Sequence, residues 1–399
     1  MKKLLTLAVL AASVSLAACS KKETEEGAAA PVAADGVMVV RIGHAAPLTG
    51  PQAHLGKDNE NGVRLAIDDL NARGVEIGGR KVRFEMSSED DQADPRVATT
   101  VAKKFVDDKV NVIIGHLNSG TTIPSSRIYY DAGIVQVSPS ATNPRYTQQG
   151  YANAFRVMAN DVQQGKALGE FAVQDMGAKK IAIIDDRTAY GQGLADEFEK
   201  AVVANGGSVI VREFTNDKAS DFTAILTKIK GLNPDVLFYG GMDGQGAPMA
   251  RQMKTLGLSA KFLGGDGINT AEFMKLAGPA AEGVTSSLPG VPLDAMPKGP
   301  DFKQRFEAKY GVIQLYAPYC YDAMMVVAEA MQRAGSAEPA KYLPEMGKTA
   351  HDGVTARISF DDKGDLTGGS ISVYRVEGGQ WKLLRTLGAA AEPAASTAP

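Results

Sequence analysis

The sequence predicts an α/β protein in which helices cover both faces of parallel β-sheets. Apolar segments with the character of buried strands alternate along the chain with segments whose apolar residues recur at helical spacing. This alternation is typical of doubly wound parallel sheets. The chain has roughly 350 residues between its two low-complexity ends, and a length of this order corresponds to two domains.

Each predicted strand is a short apolar segment, and a predicted helix separates it from the next in most cases. The predicted strands are 38–43, 82–86, 110–114, 133–138, 181–185, 209–214 and 236–239. The predicted helices contain 63–70, 97–105, 162–176, 194–204, 222–229 and 249–256. Near the C terminus the pattern changes to strands at 358–360, 371–376 and 381–384. This change indicates that the chain ends by crossing between the two domains.

The N terminus has the features of an export signal. A short basic start precedes an apolar run from Leu4 to Ala18, which is too short to span a bilayer as a helix. Small residues lead directly into Cys19, and this arrangement resembles the lipobox of bacterial lipoproteins. We therefore interpret residues 1–18 as a lipoprotein signal peptide and Cys19 as the acylated first residue of the mature chain. Ordinary cleavage next to an incidental cysteine is the alternative.

Two terminal segments have almost no apolar residues to bury. We predict that residues 19–37 form a disordered tether and residues 388–399 a disordered tail. The formal charge is −3, and losing two lysines with the signal peptide makes it −5. No block of lysine or arginine stands out, so the sequence gives no indication of a nucleic-acid partner.

Two polar loops follow successive strands of the first domain. Residues 116–122 follow the strand at 110–114, and residues 138–144 follow the next one. Because ligands bind at the carboxyl ends of strands in open parallel sheets, the hydroxyls and backbone N–H groups of these loops suggest a carboxylate site. Each loop alone could be an ordinary helix N-cap, but two in succession favour an anion site. Tyr190 and Asp266 occupy comparable loops further along the chain.

Eight short segments, taken in order, resemble the branched-chain amino-acid binding proteins of ABC transporters. They are PLTG at 47–50, GHLNSGTT at 115–122, SPSAT at 138–142, YGQGLA at 190–195, YGG at 239–241, GGDG at 264–267, YDA at 321–323 and FDDKGD at 360–365. The resemblance extends from about Val39 to Leu387. It implies the type I periplasmic binding protein fold, in which two Rossmann-like lobes with parallel sheets are joined by a three-stranded hinge.

The resemblance also implies where the two lobes divide. Lobe 1 is expected to contain residues 38–160 and 290–366, and lobe 2 residues 161–289 and 367–387. The ligand then lies in the cleft between the lobes, which close on it.

The resemblance further assigns roles to six residues. The implied ligand-binding residues are Ser119, Ser140, Ala141, Thr142, Tyr190 and Asp266. The two hydroxyls of Ser119 and Thr142 are expected to bind a ligand carboxylate. Backbone carbonyls around Ser140 and Ala141, together with Asp266, are expected to bind its ammonium group. Tyr190 is expected to cover the ligand from the second lobe when the lobes close.

The lining of the side-chain pocket departs from the family pattern. Leu55 and Met242 stand where the family often has aromatic residues, and Leu117 is a third candidate for the lining. Because methionine adapts to irregular volumes, we expect a pocket broader than a strict leucine site. Asn118 replaces a cysteine that forms a disulfide in some relatives.

An enzyme is the main alternative from another class. A dinucleotide-binding enzyme needs G-x-G-x-x-G after its first strand, and residues 44–50 do not contain it. The four histidines are not spaced as metal ligands, and we interpret His116 as a hydrogen-bonded structural residue. We therefore expect neither catalysis nor a cofactor nor a bound metal.

The expected protein captures an aliphatic amino acid in the periplasm and is anchored to a bacterial membrane by lipid. It delivers the ligand to the permease and ATPase of an ABC importer, and it acts as a monomer. Two alternatives within binding proteins remain open. One is a protein for an amide, urea or aromatic-acid ligand, although Asp266 favours a ligand with an ammonium group. The other is a sensory or scavenging lipoprotein.

Overall fold

A six-stranded sheet forms the first half of the fold. The computed structural model describes residues 37–388, so the predicted signal peptide, Cys19 and most of the predicted tether and tail lie outside the described residues. The strands of this sheet are β1 (Met38–Ala46), β2 (Glu76–Ile77), β3 (Arg80–Asp90), β4 (Val112–Gly115), β5 (Val135–Ser138) and β6 (Ala154–Arg156). Their order is β2-β3-β1-β4-β5-β6, and β2 alone is antiparallel to its neighbour in this sheet.

A seven-stranded sheet forms the second half. Its first five strands are β7 (Lys180–Asp185), β8 (Ser208–Phe214), β9 (Val236–Gly240), β10 (Lys261–Gly264) and β11 (Thr285–Pro289). A separate two-stranded ladder follows, formed by β12 (His351–Asp352) and β13 (Arg357–Ile358). The chain then returns to the second sheet with β14 (Ser370–Glu377) and β15 (Gln380–Gly388). The strand order is β15-β14-β11-β10-β9-β7-β8.

Helices connect most of the parallel strands and cover both sheets. They are α1 (Ala53–Ala72), α2 (Pro95–Asp107), α3 (Ser119–Asp131), α4 (Asp161–Glu170), α5 (Ala189–Ala204), α6 (Thr223–Leu232), α7 (Asp243–Leu256), α8 (Ala271–Ala277), α9 (Gly299–Tyr310), α10 (Ala317–Ala334) and α11 (Pro339–Met346). The predicted helix at 162–176 is divided, because α4 ends at Glu170 and a π-helix continues it from Phe171 to Asp175.

Helix α10 shows why part of the fold was absent from the sequence prediction. Fourteen of its eighteen residues are buried, because it packs between α1 and the first sheet. A helix that is buried on nearly all sides has no polar face, so its sequence lacks the periodicity on which the prediction relied. The same segment of chain contains α8, α9, α11, β10 and β11, none of which was predicted.

Two smaller differences concern strands near the C terminus. The strand predicted at 358–360 is reduced to the short β13, and Phe360 makes an isolated bridge with Leu366. The predicted tail begins one residue too early, because Gly388 is still paired with Ser370 in β15. The alternating α/β prediction itself is confirmed.

Three segments cross between the two sheets, after β6, after β11 and before β14. The crossings are tied together by backbone hydrogen bonds from Arg156 N–H to the Gly364 carbonyl (2.9 Å) and from Gly290 N–H to the Ser370 carbonyl (2.6 Å). Arg156 is fully buried, and its guanidinium pairs with Asp365 of the third crossing. These contacts make the crossings a single connected hinge.

Candidate ligand-binding site

The two polar loops of the first lobe lie against each other. Helix α3 begins at Ser119, whose Oγ accepts a hydrogen bond from the backbone N–H of Asn143 (3.2 Å) in the second loop. Ser140 Oγ donates to the carbonyl of Leu117 (3.1 Å). The two loops predicted from the sequence to form one site are therefore adjacent, and their hydroxyls are buried.

Thr142 has a buried hydroxyl that is not used by the described part of the chain. Its Oγ1 has no hydrogen-bond partner there, although the side chain lies beside the carboxyl of Asp161. The neighbouring carbonyl of Ala141 accepts a hydrogen bond from Arg156 (2.9 Å), as does that of Asn143 (2.9 Å). A carbonyl oxygen has two lone pairs, so this contact leaves one acceptor position on Ala141. Arg156 thus fixes the second loop to the hinge.

Asp266 of the second lobe is buried and is surrounded by hydrogen-bond donors. Its Oδ1 accepts from the Tyr190 hydroxyl (2.7 Å) and from Nε2 of Gln164 (3.0 Å). Its Oδ2 accepts from the Tyr316 hydroxyl (2.7 Å), which comes from the first lobe. Three neutral donors stabilise a buried negative charge without cancelling it. The carboxyl of Asp266 is therefore fixed in position within the cleft.

Tyr190 is buried and positions Asp266. Its hydroxyl oxygen accepts a hydrogen bond from the backbone N–H of Gly267 (2.9 Å) while its proton is donated to Asp266. Burial and the charge of Asp266 raise the pKa of Tyr190 well above its ordinary value. The hydroxyl consequently keeps its proton and remains a donor.

Tyr316 was not predicted as a site residue. It precedes α10, and its segment is held by Asp58 of α1, whose buried carboxylate accepts four backbone N–H groups. These donors belong to Gln314, Leu315, Tyr316 and Ala317, at 2.7–3.0 Å. Because this contact joins residues more than 250 positions apart, no local sequence signal indicates it. Gln164, in the middle of α4, was missed for the same reason.

Asp161 is the second buried carboxyl of the cleft and was also missed. It is the first residue of α4 and has no exposed surface, yet neither carboxyl oxygen has a hydrogen-bond partner within residues 37–388. Burial raises the pKa of Asp161 to about 8; the Thr142 hydroxyl lowers it and the charge of Asp266 raises it further. An acidic residue in the first helical turn is ordinary in sequence, so this role had no distinctive signal.

The three predicted pocket residues belong to one buried apolar cluster that includes Tyr190 and Tyr316. Leu55 lies in the first turn of α1, and Leu117 lies between β4 and α3. Met242 precedes α7, and a Cβ atom at Gly267 would lie 2.9 Å from its Sδ. This packing places the methionine beside the loop that carries Asp266, where its side chain can shape a ligand pocket.

Direct contacts between the lobes close the cleft. Nδ2 of Asn143 donates to the carbonyl of Ala189 across it (2.6 Å). The Tyr316–Asp266 hydrogen bond is a second contact, and a third joins His54 to Asp243 (2.8 Å). Since each lobe contributes one partner, the described conformation is a closed one.

His116 lies next to the cleft, and its hydrogen bonds indicate a structural role. Its Nδ1 is 2.8 Å from Asp91 Oδ2 and its Nε2 is 2.9 Å from the Tyr129 hydroxyl, so both ring nitrogens are occupied.

Within the described range, no group of three or more His, Cys, Asp or Glu side chains could hold a metal ion. No helix of that same range has the length and apolar character needed to cross a membrane.

The fold and this site define the class of protein. A family model described as "Periplasmic binding protein" matches residues 39–380, and the chain belongs to that family. The family resemblance and the type I fold expected from the sequence are thereby confirmed.

Two curated relatives and one solved structure show the likeness at closer range. "Leu/Ile/Val-binding protein homolog 1" of Brucella suis is 37% identical over 345 residues, which cover 85% of this chain and 91% of the relative. The "leucine-, isoleucine-, valine-, threonine-, and alanine-binding protein" of Pseudomonas aeruginosa is 34% identical, with 84% and 89% covered. A branched-chain amino acid transporter substrate binding protein from Streptococcus pneumoniae, solved with isoleucine, superposes with a TM-score of 0.80 at 25% identity, covering 88% of this chain and 100% of the other.

Proposed function

We propose that this protein captures an aliphatic amino acid, of the branched-chain type, in the cleft between its lobes and delivers it to the permease of an ABC importer. One observation carries the proposal: the cleft is complementary to a zwitterion. The cleft contains a Thr142 hydroxyl with no hydrogen-bond partner among the described residues, and it contains two buried carboxyls, Asp161 beside Thr142 and Asp266 in the second lobe. A ligand with both charges meets a partner for each.

The carboxylate of the ligand is assigned to the two loops of the first lobe. Helix α3 begins at Ser119, so its first turn has backbone N–H groups that the helix itself does not use, and the helix dipole favours an anion there. The Ser119 hydroxyl already accepts from Asn143 N–H, which leaves its proton free to be donated to a carboxylate. The Thr142 hydroxyl can add a further contact.

The ammonium group of the ligand is assigned to the space between Asp266 and Asp161. A buried carboxyl with no partner is costly, and Asp161 has none in the described part of the chain. An ammonium group would supply both the missing hydrogen bonds and the missing opposite charge. Because an adjacent cation lowers the pKa of an acid, Asp161 would release its proton when the ligand binds.

The ligand side chain is assigned to the apolar surface of Leu55, Leu117, Met242 and Tyr316. Methionine supplies an adaptable wall, which suits side chains of several shapes. The relatives support this assignment. The Streptococcus protein was solved with isoleucine, and the name of the Pseudomonas protein includes threonine and alanine as well as the branched-chain residues.

The proposed location is the periplasm, with the mature chain attached to a membrane by acyl chains on Cys19 and acting as a monomer. Two or more acyl chains hold a protein to a membrane durably. Mass spectrometry of the exported protein tests the anchor. A mature chain with an unmodified Cys19 would remove the anchor from the proposal and leave the ligand assignment intact.

Calorimetric titration with leucine, isoleucine, valine, alanine and a branched aliphatic amide tests the ligand assignment. The account expects the amino acids to bind and the amide, which has neither ionic group, to fail. Binding of the amide alone, or of benzoate or urea in preference to leucine, would overturn it. His351→Gln, which changes a histidine that pairs with Glu329 and is not among the proposed ligand-binding residues, is a control expected to bind like the unmodified protein.

A further inference from the structure

One ionisable pair, His54 and Asp243, bridges the cleft next to the proposed pocket residues Leu55 and Met242. His54 lies in the first turn of α1 in lobe 1, and Asp243 is the first residue of α7 in lobe 2. His54 Nε2 is 2.8 Å from Asp243 Oδ2, although the two residues are 189 positions apart in the sequence. The pair exists only while the lobes are together, so any change in its strength acts directly on closure.

Asp243 is nearly fully buried, with 1% of its side chain exposed, and it lacks a permanent cationic partner. Its Oδ2 also accepts from the Thr270 hydroxyl (2.6 Å), and its Oδ1 has no partner among the described residues. A buried carboxylate of this kind gains most from a neighbour that can become positively charged. His54 is that neighbour, and it retains 19% exposure through which it can exchange a proton with solvent.

Two acidic groups face the His54 imidazole, Asp243 at the start of α7 and Glu272 in α8. Burial lowers the pKa of His54, but the hydrogen bond to Asp243 and the negative charges of Asp243 and Glu272 outweigh burial and raise it. The protonated imidazole is therefore the form that the closed arrangement stabilises.

We propose that His54 and Asp243 form a proton-dependent latch between the lobes, which favours the closed protein in acidic surroundings. The inference concerns closure of the ligand-free chain, so it stands independently of which ligand the cleft binds. Histidine suits this role because its ordinary pKa lies within the range that an extracytoplasmic compartment can experience.

The direction of the pH effect follows from the geometry. When the lobes separate, His54 leaves Asp243 and enters water, and its pKa returns towards the ordinary value of about 6.5. Closure then takes up protons at intermediate pH. The stabilisation of the closed form is fully present below the ordinary pKa and is lost as the pH rises through the raised value.

Small-angle X-ray scattering of the ligand-free chain between about pH 8.5 and 5.5 tests the latch, since this range spans the titration of histidine. The radius of gyration of the unmodified protein is expected to decrease as the pH falls. His54→Gln keeps a hydrogen-bonding side chain but cannot be charged, and its radius should change less with pH than that of the unmodified protein. The remaining change would come from Asp161, whose buried carboxyl has a pKa of about 8, and adding Asp161→Asn should make the radius independent of pH. His351→Gln, in which the removed histidine pairs with Glu329 inside lobe 1, should keep the full response.

Two results would overturn the proposal: a radius of the unmodified protein that does not change with pH, or a full response in the His54→Gln protein. Circular dichroism at both pH values verifies that each variant is folded. Asp243→Asn provides an independent arm, because removing the charge of the partner should reduce the response as much as His54→Gln does. An Asp243→Asn protein that closes in acid like the unmodified chain would show that the His54–Asp243 pair is not the origin of the pH response.

Discussion

Asp266 and Asp161 are two buried carboxyls of the same cleft with opposite environments. Asp266 accepts three side-chain hydrogen bonds, from Tyr190, Gln164 and Tyr316. Asp161 accepts none within the described residues, and its pKa is raised to about 8, mainly by burial. Asp266 therefore already has hydrogen-bond donors in the ligand-free protein, whereas Asp161 has none among the described residues.

The contrast indicates how the proposed ligand would be recognised. Asp266 is held in place by three side-chain donors before binding, so it can meet an ammonium group without rearrangement. Burial raises the pKa of Asp161 to about 8 in the empty cleft, and the charge of a bound ammonium group would favour its ionisation. In the proposed complex, Asp266 would position the ligand, and Asp161 would couple its capture to the release of a proton.

Removing the charge of Asp266 should have the largest effect. Asp266→Asn is expected to weaken leucine binding by about 2–5 kcal/mol, the range for truncating one member of a buried charge pair. Calorimetric titration measures the loss, and the melting temperature verifies that the variant is folded. Normal affinity for leucine in this variant would contradict the ammonium assignment.

Asp161→Asn should weaken binding less, by about 1.5–3 kcal/mol, the value of a hydrogen bond to a charged group. The ligand-free variant should be at least as stable as the unmodified protein at pH 8. Asp161 has a pKa of about 8 in the folded protein and an ordinary pKa of about 4 in the unfolded chain, so it lowers the stability of the fold progressively as the pH rises between these two values. The variant lacks this loss. Thermal melts and titrations on the same samples test both effects. Unchanged affinity together with lower stability would indicate a purely structural residue.

Release of a proton by Asp161 should make the affinity for leucine moderately dependent on pH. The affinity for leucine is expected to rise as the pH approaches about 8 from below, by at most about tenfold per unit, because ionised Asp161 is then present before the ligand arrives. Titration at pH 7 in two buffers of different ionisation enthalpy counts the protons directly. The measurement is best made in a His54→Gln background, since the latch acts in the opposite direction. Asp161→Asn is the control, and in this variant the proton released on leucine binding should be absent.

Tyr316→Phe should have the smallest effect, about 0.5–1.5 kcal/mol, because Asp266 keeps two of its three donors. The phenyl ring preserves the pocket wall, so the change isolates the hydrogen bond across the lobes. Titration with leucine measures it. A loss as large as that of Asp266→Asn would mean that Tyr316, and not Asp266, anchors the ligand.

The sequence predicted those features that depend on patterns among neighbouring residues. Strand–helix alternation predicted the architecture, and the loops at Ser119, Thr142 and Tyr190 could be found because each follows a predicted strand. The strand before Asp266, β10, was not predicted, and the role of Asp266 came from the family resemblance. The structure brings these loops together in one cleft.

What could not be predicted depends on contacts between distant segments. Asp161 looks like an ordinary acidic residue at a helix start, and Tyr316 precedes a helix whose burial on almost every side removes its periodicity. His54 and Asp243 likewise meet only because the lobes close. Sequence pattern indicates which residues could bind, but only the fold shows whether each already has a partner.

A crystal structure of the protein with leucine tests the central contrast most directly. The account predicts the ligand nitrogen within hydrogen-bonding distance of carboxylate oxygens of both Asp266 and Asp161, with the ligand carboxylate at Ser119. A leucine whose nitrogen contacts neither carboxylate, or which binds outside the cleft, would contradict it.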